Sequence, residues 1–160
     1  MTDGKRVPAV AVAGLIEDAM RAVGLPDADA AKVAELMLES DLAGADAHGV
    51  FRLPQYIRRI RAGGVNTKPA ITVEQTAPAT AIVDGDNGMG HLVMQRAADT
   101  AIALAKENGV AWVGARRSNH AGAAGTYAAM ALPHDMIGLY SAVANANHMP
   151  AGLAKNFRRC

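Results

Sequence analysis

The chain has 160 residues, with 16 Lys plus Arg against 15 Asp plus Glu, and its formal net charge of +1 argues against a nucleic-acid binder, which needs a clustered basic surface. Hydrophobic residues make up 51% and charged residues 19%, which excludes a wholly disordered chain, and the length suits one domain. A single cysteine, Cys160, excludes a disulfide scaffold and fits a reducing compartment.

In chain order, Val12, Leu15, Ile16, Ala19, Met20 and Val23 form a one-faced stripe that predicts a first helix from Pro8 to Val23. Gly24 and Pro26 stop it. Glu17 and Asp18 follow the apolar run 8–16 at once, so that run reads as helix rather than signal core. No run approaches the roughly 18 apolar residues of a membrane span, and a soluble cytoplasmic protein is the expectation. Asp27 is the expected cap of a second helix, with Ala30, Val33, Ala34, Met37 and Leu38 inward, ending near Gly44. A third helix follows His48-Gly-Val50, with Leu53, Ile57 and Ile60 inward, and stops at Gly63-Gly64.

From Thr67 the character changes. Ile71–Glu74 and Thr80–Asp84 are predicted strands, and Gly85–Gly88 a turn. A long helix spans Gly90 to Glu107 and stops at Asn108-Gly109. Val110–Val113 is a predicted buried strand, Gly122–Leu132 an Ala-rich helix, and Met136–Val143 a last strand. Alternation of strands and helices predicts an α/β fold with part of its sheet parallel. Ala supplies much of the apolar content, with 35 of the 160 residues.

Two segments could carry chemistry. His48, Arg52 and Tyr56 are spaced by four, so a helix beginning near Gly49 would project all three from one side. Arg clamps a carboxylate bidentately, and His exchanges a proton near neutral pH, which together suit a small 2-oxo or 2-hydroxy acid. Gly49 would let a ligand approach the backbone beside the imidazole. The alternative is a surface helix with a solvated Arg and a core-packed Tyr. The second segment, Arg116–Tyr127, follows a strand and opens a helix, a position that favours anions. Gly122, Ala123, Ala124 and Gly125 would admit a flat cofactor. The alternative is a plain loop with Ser118 or Asn119 as cap. The GxGxxG fingerprint is absent.

Other features point to less. His91, His134 and His148 have no metal-like spacing to Cys or acids, so no metal site is read. Arg58, Arg59 and Arg61 read as a solvated face. Met89, Met94, Met130, Met136 and Met149 read as core filler, and Cys160 as inert.

Ser40-Asp-Leu-Ala-Gly-Ala-Asp-Ala-His-Gly-Val50, Arg52-Leu-Pro-Gln-Tyr56, Gly63-Gly-Val-Asn66, Val83-Asp-Gly85 and Ser118-Asn-His-Ala-Gly122 together resemble a known family. Gly125, Tyr127 and Asn145–Pro150 fit it too, and the order holds from about Val12 to Pro150. The family is the malate/L-lactate dehydrogenase-like oxidoreductases, also called the L-sulfolactate dehydrogenase-like group. The resemblance implies a helical N-terminal lobe followed by part of a mixed-sheet, non-Rossmann NAD(P)-binding fold. It implies hydride transfer between NAD or NADP and a small 2-oxo or 2-hydroxy acid, or a cyclic imine. It also implies a homodimer with its active site near the subunit interface.

By the same resemblance His48 falls on the proton donor, Arg52 on the substrate carboxylate clamp, and Tyr56 on the same pocket. His120 falls on a second active-site histidine, and His120, Ala121, Gly122, Ala123 and Ala124 lie along the cofactor. Ala47 stands where the family usually has Ser, which raises the claim of His120. Members continue well past the Asn-His-Met-Pro run, so the expectation is a truncated N-terminal portion, with a helical lobe over 1–66 and an incomplete α/β domain over 67–160. The competing readings are an inactive remnant that binds or dimerises only, and a small-acid-binding module without cofactor.

Overall fold

The computed structural model describes residues 6–142. Three helices come first: α1 (Ala9–Ala22), α2 (Asp27–Leu42) and α3 (Leu53–Arg61). α1 buries Ile16 and Met20, while Leu15, at the margin of its stripe, is 59% exposed. Gly24 ends it in a left-handed conformation, φ +100°. Pro26 rather than Asp27 occupies the N-cap of α2, and the Asp27 carboxylate instead accepts from Arg21 Nε at 3.1 Å. α2 is buried on two sides. Ala30, Val33 and Met37 join Ile16, Met20, Leu53, Tyr56 and Ile60 in one apolar cluster, whereas Leu36 packs with Ala121 and Tyr127 in another. The predicted inner residue Leu38 is only half-buried.

The sheet has the order β1-β2-β3. β1 (Thr72–Ala77) and β2 (Thr80–Gly88) form an antiparallel hairpin, and β3 (Trp112–Ser118) runs parallel to β2. The crossover is α4 (Gly90–Asn108), which ends at Gly109 with φ +77°. Val83 on β2 and Val93 and Ala97 on α4 are buried together. Helix and strand meet so closely at Gly85 that a Cβ there would lie 2.6 Å from Val93 Cγ2.

Four expectations are corrected here. Gly85–Gly88 is the irregular end of β2, not a turn. Its Asp86 and Asn87 adopt left-handed φ values of 46° and 58°, held from outside by Asn66 Nδ2 on Asp86 Oδ2 (2.9 Å) and by Asn119 Nδ2 on the Asn87 and Gly88 carbonyls (2.8 and 2.9 Å). The predicted buried strand Val110–Val113 starts only at Trp112, as β3, and Val110 before it and Trp112 are 68% and 67% exposed rather than buried. The Gly122–Leu132 helix shrinks to α5 (Ala124–Ala129) with a 3-10 turn at Leu132–His134, because Gly122 has φ +79°. Residues 136–142 form no strand, and Val143 lies outside the described residues. Ile137 and Leu139 there are 92% and 86% exposed, with no strand beside them to pair with.

Among the described residues no helix is long and apolar enough to cross a membrane. No group of three or more His, Cys, Asp or Glu converges among them as metal ligands. Arg58, Arg59 and Arg61 are exposed, as is His134. Asn145–Pro150, with His148 and Met149, and Cys160 lie outside the described residues.

Candidate active site

The segment carrying His48 and Arg52 is not one helix. Two 3-10 turns, Asp46–His48 and Val50–Arg52, precede α3, so only Tyr56 lies on a regular helix. The joint between the turns is fixed by Asp41 from α2, whose Oδ2 accepts from Val50 N at 2.8 Å. Gly49 does not open the backbone to a ligand. A Cβ there would lie 1.8 Å from Asp41 Oδ1, so the space is filled by that carboxylate. Gly49→Ala is therefore expected to push Asp41 off the Val50 amide and destabilise the chain by about 1–3 kcal/mol through overpacking. Thermal denaturation measures it, and an unchanged midpoint would show that the joint is slack.

The second segment descends from the end of β3. Arg116 and Arg117 are spent on ion pairs. Arg116 Nε lies 3.1 Å and Arg117 Nε 3.4 Å from the Asp84 carboxylate, and Arg117 also pairs with Asp86. These arginines, the β2 hydrogen bond from the Asp86 amide foremost, hold the Asp84 carboxyl below its ordinary range. Neither Ser118 nor Asn119 caps α5, whose N-cap is Ala123 without a side-chain bond. With six residues, α5 is too short to make the anion site that its position suggested. The loop backbone instead lies directly on the start of α4. A Cβ on Gly90 would be 2.1 Å from the Asn119 carbonyl oxygen and 2.5 Å from that of His120.

That contact brings the two segments together. The Tyr56 hydroxyl and His120 Nδ1 are 2.7 Å apart, across 64 positions of sequence. The His48 and His120 rings stack with centroids 5.7 Å apart and planes 12° apart. Gly122 N also donates to His120 Nδ1, at 3.3 Å. An amide can only donate, so Nδ1 accepts, the Tyr56 hydroxyl donates to the same atom, and the neutral ring carries its hydrogen on Nε2. Burial, then Arg52, then His48, lower the pKa of His120. An imidazolium would lose the Gly122 bond and face the Arg52 guanidinium. Burial raises the Tyr56 pKa, partly offset by Arg52, so its hydroxyl stays protonated.

Arg52 donates from Nε to the Ala47 carbonyl and from Nη1 to Gln55 Oε1, each at 2.7 Å. Nη2 and the second Nη1 hydrogen make no such bond to the described residues, and no carboxylate among them pairs with Arg52. End-on capture of a carboxylate by this fork remains available. Of the cofactor-lining candidates, Ala121 is buried against Leu36 and Tyr127, and its carbonyl accepts from the Tyr127 hydroxyl. Gly122 and Ala123 are half-buried and Ala124 is exposed. A Cβ on Gly125 would meet nothing within 4 Å. Small side chains here border open space beside the His120 loop.

Two residues of this site have no role assigned from the sequence. Asp41 sits inside the quoted Ser40–Val50 stretch, and its signal was the glycine eight positions on that leaves room for it. His91, the second residue of α4, is 1% exposed, and both its ring nitrogens are buried with no hydrogen-bond partner among the described residues. Burial, with His120 a smaller cause, drives its pKa down to about 3. The unfolded chain binds this proton below about pH 6.5 while the folded chain refuses it down to about pH 3. Stability present above about pH 6.5 is thus lost on acidification, by roughly 1.4 kcal/mol per pH unit across that window. Urea titrations between pH 7 and pH 4 on wild type and His91→Leu check this, and equal slopes would refute it.

A separate apolar groove of about 570 Å³ runs between α4, β3 and the stretch after α5, lined by Met94, Ile102, Trp112, Tyr127, Met136 and Tyr140. His48, Arg52 and His120 are not part of it.

The family model described as malate/L-lactate dehydrogenase matches residues 7–157. The chain is 42% identical over 125 residues to the L-sulfolactate dehydrogenase of Methanocaldococcus jannaschii, a match covering 78% of this chain and 36% of the relative. It is 35% identical over 141 residues to the ureidoglycolate dehydrogenase (NAD(+)) of Escherichia coli K12, covering 88% and 40%. The solved structure of malate dehydrogenase from Pyrococcus horikoshii OT3 superposes with a TM-score of 0.77 at 42% identity, over 81% of this chain and 37% of that one. The chain thus spans about two-fifths or less of the length of the proteins it matches.

Proposed function

Because the chain belongs to the malate/L-lactate dehydrogenase family, we propose that it carries the substrate-side residues of a nicotinamide-dependent dehydrogenase that interconverts a small 2-hydroxy acid and its 2-oxo acid, or reduces a cyclic imine. The observation that carries this reading is the meeting of His48, Tyr56 and His120 beside Arg52, from segments far apart in sequence. Arg52 holds the substrate carboxylate, and Tyr56 lines the pocket and steadies His120. His120, stacked on His48, exchanges the proton at the substrate oxygen. NAD or NADP, when bound, supplies or takes up the hydride. Gly122, Ala123 and Ala124, continuous with His120 and anchored by Ala121, are the residues we assign to its nicotinamide end.

The proton step follows from the chain's own groups. In reduction an imidazolium His120 gives its Nε2 proton to the developing alkoxide and is left with its hydrogen on Nδ1, where the Tyr56 hydroxyl turns to accept it; a lowered pKa makes that imidazolium a stronger acid than ordinary histidine. Arg52 fixes the substrate by its carboxylate, so the oxygen meets a histidine without a search. Reduced-cofactor absorbance, followed with NADH and with NADPH against a panel of 2-oxo acids and a cyclic imino acid, tests the reading. Consumption with at least one pair is expected. No consumption and no calorimetric binding of either cofactor would refute it, and acid binding alone would leave the small-acid-binding module.

The proposal extends to a cytoplasmic homodimer. A second reading, a module that dimerises without turnover, is favoured by the apolar groove with Trp112, Ile137 and Leu139 exposed around it. Size-exclusion chromatography with light scattering, run beside the absorbance assay, separates the two: a dimer with turnover supports the dehydrogenase, a dimer without turnover supports the module, and a monomer counts against dimerisation in either.

A further inference from the structure

Both donors onto His120 Nδ1 rest against the same third residue. The Tyr56 ring stands perpendicular to His91, with centroids 5.4 Å apart and planes at 86°. On the other side a Cβ on Gly122 would lie 2.9 Å from His91 Nε2, so the glycine backbone sits directly on that ring. His91 itself cannot wander. It is 1% exposed, and Gly90 before it is clamped under the Asn119 and His120 carbonyls. Its two nitrogens, unpartnered among the described residues, carry a desolvation penalty that plain packing would avoid with an apolar side chain.

We propose that His91 is a positioning residue: it wedges the Tyr56 ring and the Gly122 backbone so that both donate to His120 Nδ1, which fixes the hydrogen of the neutral His120 ring on Nε2. This rests on the reading of His120 as the proton-exchanging group. A flat five-membered ring serves here because one side must accept a perpendicular aromatic ring and the other a bare backbone. The groups facing His120 are His48, Arg52, Tyr56 and His91, and of these only Tyr56 bonds its Nδ1.

Histidine ring-nitrogen shifts, recorded on the 160-residue chain with labelled histidine and no cofactor, test it. Wild type is expected to show His120 as a single Nε2–H tautomer, and an Nδ1–H tautomer would overturn the proposal by itself. In His91→Ala the His120 signals are expected to move to a mixture of both tautomers, with the titration midpoint rising toward the ordinary histidine value. An unchanged tautomer and midpoint would overturn it. His91→Leu keeps most of the buried volume, so it carries the same test should the alanine variant fail to fold. The readout needs no turnover, so a catalytically silent chain with the expected shifts sinks the dehydrogenase reading and leaves this one standing.

Discussion

Replacing His48 and His120 together with alanine is expected to lower kcat/KM for 2-oxo acid reduction by about 10²–10⁴-fold, the range a positioned acid–base group supplies. The two rings stack, and His48 is among the causes that lower the pKa of His120. Their effects are therefore not additive. His120→Ala alone is expected to produce most of the loss, because it also frees the Tyr56 hydroxyl and the Gly122 amide. His48→Ala is expected to cost less, since it removes the ring stacked on His120 and leaves the Tyr56 and Gly122 bonds to His120 in place. Cofactor affinity, measured by calorimetry, separates lost chemistry from lost binding. An unchanged kcat/KM in the double variant would end the assignment of both residues.

Periodicity made α1, α2 and α4 readable, because each has an apolar stripe and an end marked by Gly or Pro. It could not show that Leu15 is exposed, since the width of a buried stripe is set by the neighbour, not by the helix. Asp86 and Asn87 have the composition of a turn, and they do adopt left-handed backbone. What keeps them in β2 is Asn66, Asn119 and Arg117, residues brought there by the rest of the fold. The burial of β3 was misread for the same reason: an apolar strand is buried only if something covers it. At the site, His48, Arg52, Tyr56 and His120 were each legible as residue types at informative spacings. Their meeting was not, because it depends on Gly90 letting the His120 loop lie on α4. Asp41 and His91 were illegible on their own, one among several acids and the other a lone histidine. Only the cavity at Gly49 and the ring contacts of Tyr56 give them roles.

Arg52→Gln is expected to lower kcat/KM for a 2-oxo acid by about 10–150-fold, which corresponds to the roughly 1.5–3 kcal/mol of a hydrogen bond to a charged group. The loss should be confined to substrates with a free carboxylate. Arg52 already spends Nε on Ala47 and one Nη1 hydrogen on Gln55. These bonds orient the guanidinium and leave its outer edge for a ligand. Arg52→Lys retains the charge but not the paired geometry, so it is expected to fall between wild type and Arg52→Gln. The decisive comparison is the same 2-oxo acid against its methyl ester. Wild type is expected to prefer the acid, and Arg52→Gln to lose that preference while its rate with the ester is unchanged. An equal fall for acid and ester would mean that Arg52 acts through the Ala47 carbonyl on the shape of the His48 turn. The carboxylate clamp would then have to be sought in another residue.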